Sequence, residues 1–182
     1  MPRSLLQHIA PGRPRELGGA ESKFIYALAA VTCTVFIAVA FGYYIDGMLL
    51  MYGFLGIVLA VSFLTLNGNP RRPAKGSWFG WIAAALSLAI ALYFIYRSPY
   101  YETRLPMIDE LSLADQVAGM LAIGLILEAT RRVIGFTLVI VVLVFLAYGV
   151  FGQWISGPFY HRALSLQEML DQLVFTTNGV FG

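Results

Sequence analysis

Leu113-Ala-Asp115-Gln-Val-Ala-Gly-Met-Leu-Ala-Ile-Gly-Leu-Ile-Leu127-Glu128-Ala-Thr-Arg131-Arg132 decides the fold of this 182-residue chain. Its uninterrupted apolar part, 117–127, is shorter than the roughly 20 residues that carry a helix across about 30 Å of hydrocarbon. The stretch crosses a bilayer only if Asp115 and Glu128 sit at its two edges. Four other apolar stretches, 24–45, 48–66, 78–96 and 133–151, are near full length and bounded by polar or charged residues. Helices are the open-chain form that satisfies its own backbone in lipid, so each reads as a transmembrane helix. Whether there are five crossings or four depends on 113–127.

The distribution of Lys and Arg, which accumulate in cytoplasmic loops, favours five. With the N-terminus inside, Arg3, Arg13, Arg15, Lys23, Arg71, Arg72, Lys75, Arg131 and Arg132 fall on the cytoplasmic side, against Arg97, Arg104 and Arg162 outside. Asp46, Glu102, Asp109, Glu110, Asp115, Glu168 and Asp171 all fall outside. Removing the fourth span would move Arg131 and Arg132 outward and spoil the bias. The expected fold is therefore an all-α integral membrane protein of five transmembrane helices, N-terminus cytoplasmic and C-terminus periplasmic.

Composition agrees. Hydrophobic residues make up 59% and charged residues 12%, about half the charged share of a soluble domain, and the mean hydropathy is +0.75. A net charge of +2, with its basic residues scattered, leaves no footprint for nucleic acid. The single cysteine, Cys33, lies inside the first apolar run, so it reads as a packing residue. The segment 1–23 is polar and carries Pro2, Pro11 and Pro14, unlike a signal peptide, so the first apolar segment is expected to remain in the mature protein.

The connections differ in character. Asp46-Gly47 reads as a very short outer turn, and 67–77, with Arg71, Arg72 and Lys75, as a basic inner loop. The outer loop 97–112 is led in by Tyr93, Phe94, Tyr96, Tyr100 and Tyr101, as an aromatic belt would be. Ser112 and Asp115 have capping-box spacing at the start of the fourth helix, and Ser165 and Glu168 repeat it near the C-terminus. The helix opened by Ser165 carries Leu166, Met169, Leu170, Leu173 and Val174 on one face and Gln167, Glu168, Asp171 and Gln172 on the other, with Asn178-Gly179 as its end. It is too short and polar to span, so it is expected on the outer surface. Lipid or another protein's helices could bury the apolar stripe, and the acidic polar face, unlike the Lys/Arg face of a lipid-binding helix, is the argument for a protein partner. Glu102, Asp109 and Glu110 are the candidate receptor-facing residues of the outer loop.

No catalytic or ligand-binding pattern is present, so the expectation is a protein that is not an enzyme and carries no metal or cofactor. His8 and His161 fall on opposite sides of the membrane. Glu128 is the polar group nearest a span interior, three and four residues from Arg131 and Arg132, and reads as a structural ion pair at the inner headgroup level rather than an ion-coupling carboxylate. With so little polar lining in the spans, the chain reads as an accessory or scaffold subunit and not as a complete carrier.

The segment Leu125-Ile-Leu-Glu128-Ala-Thr-Arg131-Arg132-Val-Ile-Gly135, with Val144-Phe-Leu-Ala-Tyr148-Gly-Val-Phe-Gly152, His161-Arg162-Ala-Leu-Ser165 and Thr176-Thr-Asn-Gly-Val-Phe-Gly182, resembles a known family. It is similar to the N-terminal region of the fused membrane component of tripartite ATP-independent periplasmic (TRAP) transporters, of the type served by TAXI-family receptors. The resemblance implies a cytoplasmic segment 1–23, a four-helix small-subunit region 24–132, a connecting transmembrane helix 133–152, and a periplasmic-side segment 153–182 leading to a large transport domain. It implies a multi-pass protein of the inner membrane, whose partners are membrane lipid, a large elevator-type permease and a periplasmic solute-binding protein. The coupling cation, expected to be sodium, would bind in the large domain. The alternatives are the small membrane subunit of a tripartite tricarboxylate transporter and a membrane assembly protein outside transport. The apolar ending of the sequence carries the expectation of a longer chain or a tightly bound partner.

Overall fold

The computed structural model describes residues 13–15, 17–68, 78–162, 164–176 and 179–180. Arg3, His8, Arg71, Arg72, Lys75 and Asn178 lie outside the described residues. Five helices are long and apolar enough to cross a membrane: α1 (Gly19–Ala40), α2 (Gly47–Thr65), α3 (Trp78–Thr103), α4 (Leu113–Val133) and α5 (Phe136–Phe151), the last running on through a 3-10 turn to Trp154. The chain is an all-α, multi-pass membrane protein. Its extended pieces among the described residues are β1 (Arg13–Pro14) and β2 (Leu66–Asn67), which pair antiparallel. A short α6 (Leu166–Leu170) passes into a π turn, Asp171–Phe175.

Helix ends follow local chemistry. The Asp46 carboxylate accepts the N–H groups of Met48 and Leu49 at 2.8 and 3.1 Å, capping α2. The expected two-residue turn before it is longer, because α1 stops at Ala40. Gly42 takes φ +95°, a left-handed conformation suited to glycine at a helix end, and 41–46 form the connection. The loop expected from residue 97 begins instead at Arg104. Pro99 sits in the last turns of α3 without ending it, so Arg97, Tyr100 and Tyr101 are helical.

The core is the packing of α2, α3 and α4. Gly56 of α2 lies directly on Ala91 of α3, leaving no space for a side chain. At one end of the bundle Tyr52, Phe94, Tyr101 and Phe175 form a buried aromatic cluster over Ala118 and Ala122, with the Phe175 ring tilted against Tyr101 at a centroid distance of 4.8 Å. At the other, Phe63 and Leu64 pack on Ala83, Ala84 and Ala129. Flanking helices are bare by comparison. α1 has no buried residue and α5 buries only Val139.

Candidate functional site

The charged groups gather at the two ends of the bundle. At the end where α2 begins, α3 presents Tyr93, Arg97 and Tyr101, one helical turn apart, toward the first turn of α4. Asp115 there is fully buried. Its carboxylate accepts the Tyr93 and Tyr101 hydroxyls at 2.8 and 2.6 Å, the Ser112 hydroxyl at 2.6 Å, and Arg97 at 2.9 Å through Nη2 and 3.4 Å through Nε. Ser112 caps α4 through the Asp115 N–H at 3.2 Å, as the spacing predicts. The other half of the expected box is absent, because the carboxylate turns inward to α3. A buried carboxylate needs this many donors to remain charged.

A second buried pair stands beside it. Arg104, at the start of the loop that joins α3 to α4, holds Asp171 of the π turn through Nη1 at 2.6 Å, and the Met107 N–H reaches the same carboxylate at 2.9 Å. Both side chains are almost wholly enclosed. Burial works against the Arg104 charge, and the hydrogen bonds and charge of Asp171 outweigh it, so its pKa is raised. Met107 sits at φ +64°, a conformation rare for a residue with a side chain. Gln167 of α6 joins the clamp by donating to the Asp109 carbonyl at 3.2 Å.

The expectation that Asp171 lies on a solvated polar face is therefore corrected. The helix changes to π geometry at Asp171, and the residue closes on Arg104. The apolar stripe is divided: Leu170 and Val174 are buried against the chain's own helices, Met169 and Leu173 are half-buried, and Leu166 stays exposed. The Ser165–Glu168 capping box is present, its two bonds 3.1 and 2.8 Å long, and the Ser165 hydrogen bonds hold the Glu168 carboxyl below its ordinary range. Glu102, Asp109 and Glu110 are exposed at this same end.

At the opposite, basic end, Glu128, Arg131 and Arg132 come together. Arg131 pairs with Glu128 at 2.7 Å and Arg132 at 2.8 Å. The two guanidinium groups also reach the Gly68 and Leu66 carbonyls at 3.1 and 3.2 Å, satisfying acceptors just past the end of α2. Arg15 joins from the β1 side, pairing with Glu21 at 2.8 Å, and Glu21 also accepts the Trp81 indole N–H at 3.2 Å.

The Asp115 and Arg104 pairs were missed from the sequence. Tyr93, Arg97 and Tyr101 recur every four residues on an otherwise apolar helix, a polar stripe that could have announced a buried partner. The link from Arg104 to Asp171 spans 67 positions and has no local signal. Among the described residues no group of three or more His, Cys, Asp or Glu is gathered as a metal would require. Comparison with protein-family models, curated proteins and solved structures finds no match.

Proposed function

We propose that the chain is the scaffold, or small membrane subunit, of a TRAP-type secondary transporter served by a TAXI-type receptor. In this reading the basic end is cytoplasmic and the membrane is the bacterial inner membrane. The region 24–132 braces a large elevator-type transport domain, 133–152 connects to it, and the cation that drives uptake, sodium, binds in that large domain. A periplasmic receptor delivers small organic solutes to the outer face.

The resemblance of 125–135, 144–152, 161–165 and 176–182 supports the family. The observation that carries the scaffold role is the state of the carboxylates. Glu21, Glu102, Asp115 and Glu128 are the acidic residues of the five long helices, each lies toward a helix end, and each is already hydrogen-bonded within the chain. A part that stays still while its partner moves is well served by carboxylates held in fixed contacts, Glu21, Asp115 and Glu128 by arginines and Glu102 by the Ser98 hydroxyl. The bare flanks of α1 and α5 supply apolar surface for lipid and a membrane partner.

The test is purification of the tagged chain from its native membrane in mild detergent, followed by reconstitution into liposomes with what accompanies it. A large multi-helix permease, as a separate subunit or the same polypeptide, is expected in equal amount, with receptor-dependent solute uptake. Recovery of the chain without any such transport domain would sink the proposal.

A further inference from the structure

Between α3 and α4, at the end of the bundle where Asp115 lies, runs an open groove of about 470 Å³. Ile90 and Tyr93 of α3 and Leu113, Ala114, Val117 and Leu121 of α4 line it. The volume falls within the roughly 300–1,000 Å³ of ordinary ligand sites. Its lining is apolar, because Tyr93 turns its hydroxyl away to Asp115 at 2.8 Å. Ile90 is buried at the floor, while Leu113, Ala114, Val117 and Leu121 are exposed to whatever surrounds the span.

Depth decides what can fill it. The apolar run of α3 ends at Tyr96, which sets Arg97 at the headgroup level. From there the groove continues inward. Between Leu113 and Leu121 α4 rises about 12 Å, most of the roughly 15 Å that makes one leaflet of the hydrocarbon. A crossing helix of another protein packs along the full thickness of the bilayer, whereas an acyl chain occupies one leaflet.

Arg97 gives the mouth of the groove a polar handle. Its Nη2 and Nε are turned to Asp115 at 2.9 and 3.4 Å, and its Nη1 meets no acceptor among the described residues. The Tyr100 ring backs the guanidinium, its centroid 4.3 Å away, and 29% of the arginine side chain stays exposed. The open edge of a guanidinium held in a fixed plane suits a phosphate oxygen.

We propose that this groove holds one phospholipid, with an acyl chain lying along α4 from Leu113 to Leu121 and the phosphate accepting a hydrogen bond from Arg97 Nη1. Asp115 already balances the guanidinium charge, so the phosphate gains a hydrogen bond more than a net attraction, and the lipid exchanges with the bulk. The inference needs only the groove, its depth and Arg97, and does not rest on the transporter reading.

Photo-crosslinking of the full chain in phosphatidylcholine nanodiscs tests it. The probe is a trace of phosphatidylcholine carrying a diazirine near the end of one acyl chain, compared with diacylglycerol bearing the same labelled chain, and adducts are mapped by mass spectrometry. With the phospholipid probe, adducts on 117–121 should exceed those on the exposed 143–145 face of α5 by roughly three- to tenfold, the worth of one exposed charge-assisted hydrogen bond. Diacylglycerol, which lacks the phosphate, should label the two places equally. Ala114→Trp fills the groove, and Arg97→Lys replaces the fork with a point charge committed to Asp115, so both variants should bring the phospholipid ratio close to one. If thermal unfolding shows that Arg97→Lys loosens the fold, Ala114→Trp and the diacylglycerol comparison decide. Phospholipid labelling of 117–121 no higher than of 143–145, or an excess that diacylglycerol reproduces, would overturn the proposal.

Discussion

Five hydrogen bonds converge on the two oxygens of Asp115, and three of their four donor side chains come from a single face of α3. The carboxylate is wholly enclosed while Arg97 keeps 29% of its side-chain surface exposed, so the two halves of the pair respond differently to mutation. Removing the negative charge leaves Arg97 able to reach water, which softens the usual cost of about 3–5 kcal/mol for breaking a buried pair. Asp115→Asn should therefore destabilise the protein by about 2–3 kcal/mol, and Tyr93→Phe, which removes one donor of several, by about 1 kcal/mol. Denaturant unfolding in detergent measures both. Equal, negligible effects would mean that the network does not hold α3 to α4.

At the scale of the element, the C-terminal helix is part of the bundle and not an appendage. Leu170 and Val174 fill the aromatic cluster, and Asp171 is clamped by Arg104, so only Leu166 and the edges of Met169 and Leu173 remain for a partner. Leu170→Asp should lower the stability of the isolated chain by more than about 3 kcal/mol. Leu166→Asp should leave stability within about 0.5 kcal/mol and, if the proposed scaffold role is right, weaken only co-purification with the proposed permease. Thermal unfolding and a pull-down read the two effects separately, and loss of stability from Leu166→Asp would show this division of the stripe to be mistaken. The stripe itself was legible in the sequence, as was the Ser165 cap, because both depend on residues within two turns of each other. Where the stripe is buried was not legible, since it depends on the change to π geometry at Asp171 and on an arginine far away in the chain. The spans show the same contrast. Apolar length located four of the five and the Lys/Arg distribution kept the other, 113–127, whereas the ends shifted at Gly42, whose left-handed turn closes α1 early, and at Pro99, which α3 absorbs near its end.

For the whole molecule, the two ends differ in kind. One gathers Arg15, Arg131 and Arg132 around the end of α2, and the other carries the exposed acids Glu102, Asp109 and Glu110. Cysteines placed at Lys75 and Glu110 in a Cys33→Ala background should label from opposite faces of intact cells or oriented vesicles with an impermeant maleimide, Lys75 from the cytoplasmic face. Labelling of both from one face would refute the five-crossing topology. The attachment of α1 has a mechanical consequence. Near one end it is pinned: the Arg15 N–H reaches the Thr65 carbonyl at 2.8 Å, and Glu21 is gripped by Arg15 and Trp81. Its far end is joined to α2 by the connection 41–46, and no residue along its length is buried. It is a lever with its fulcrum at Glu21. At 1.5 Å per residue its arm from Glu21 to Ala40 is about 28 Å, so a swing of about 10° carries Ala40 about 5 Å while the three-helix core stays packed.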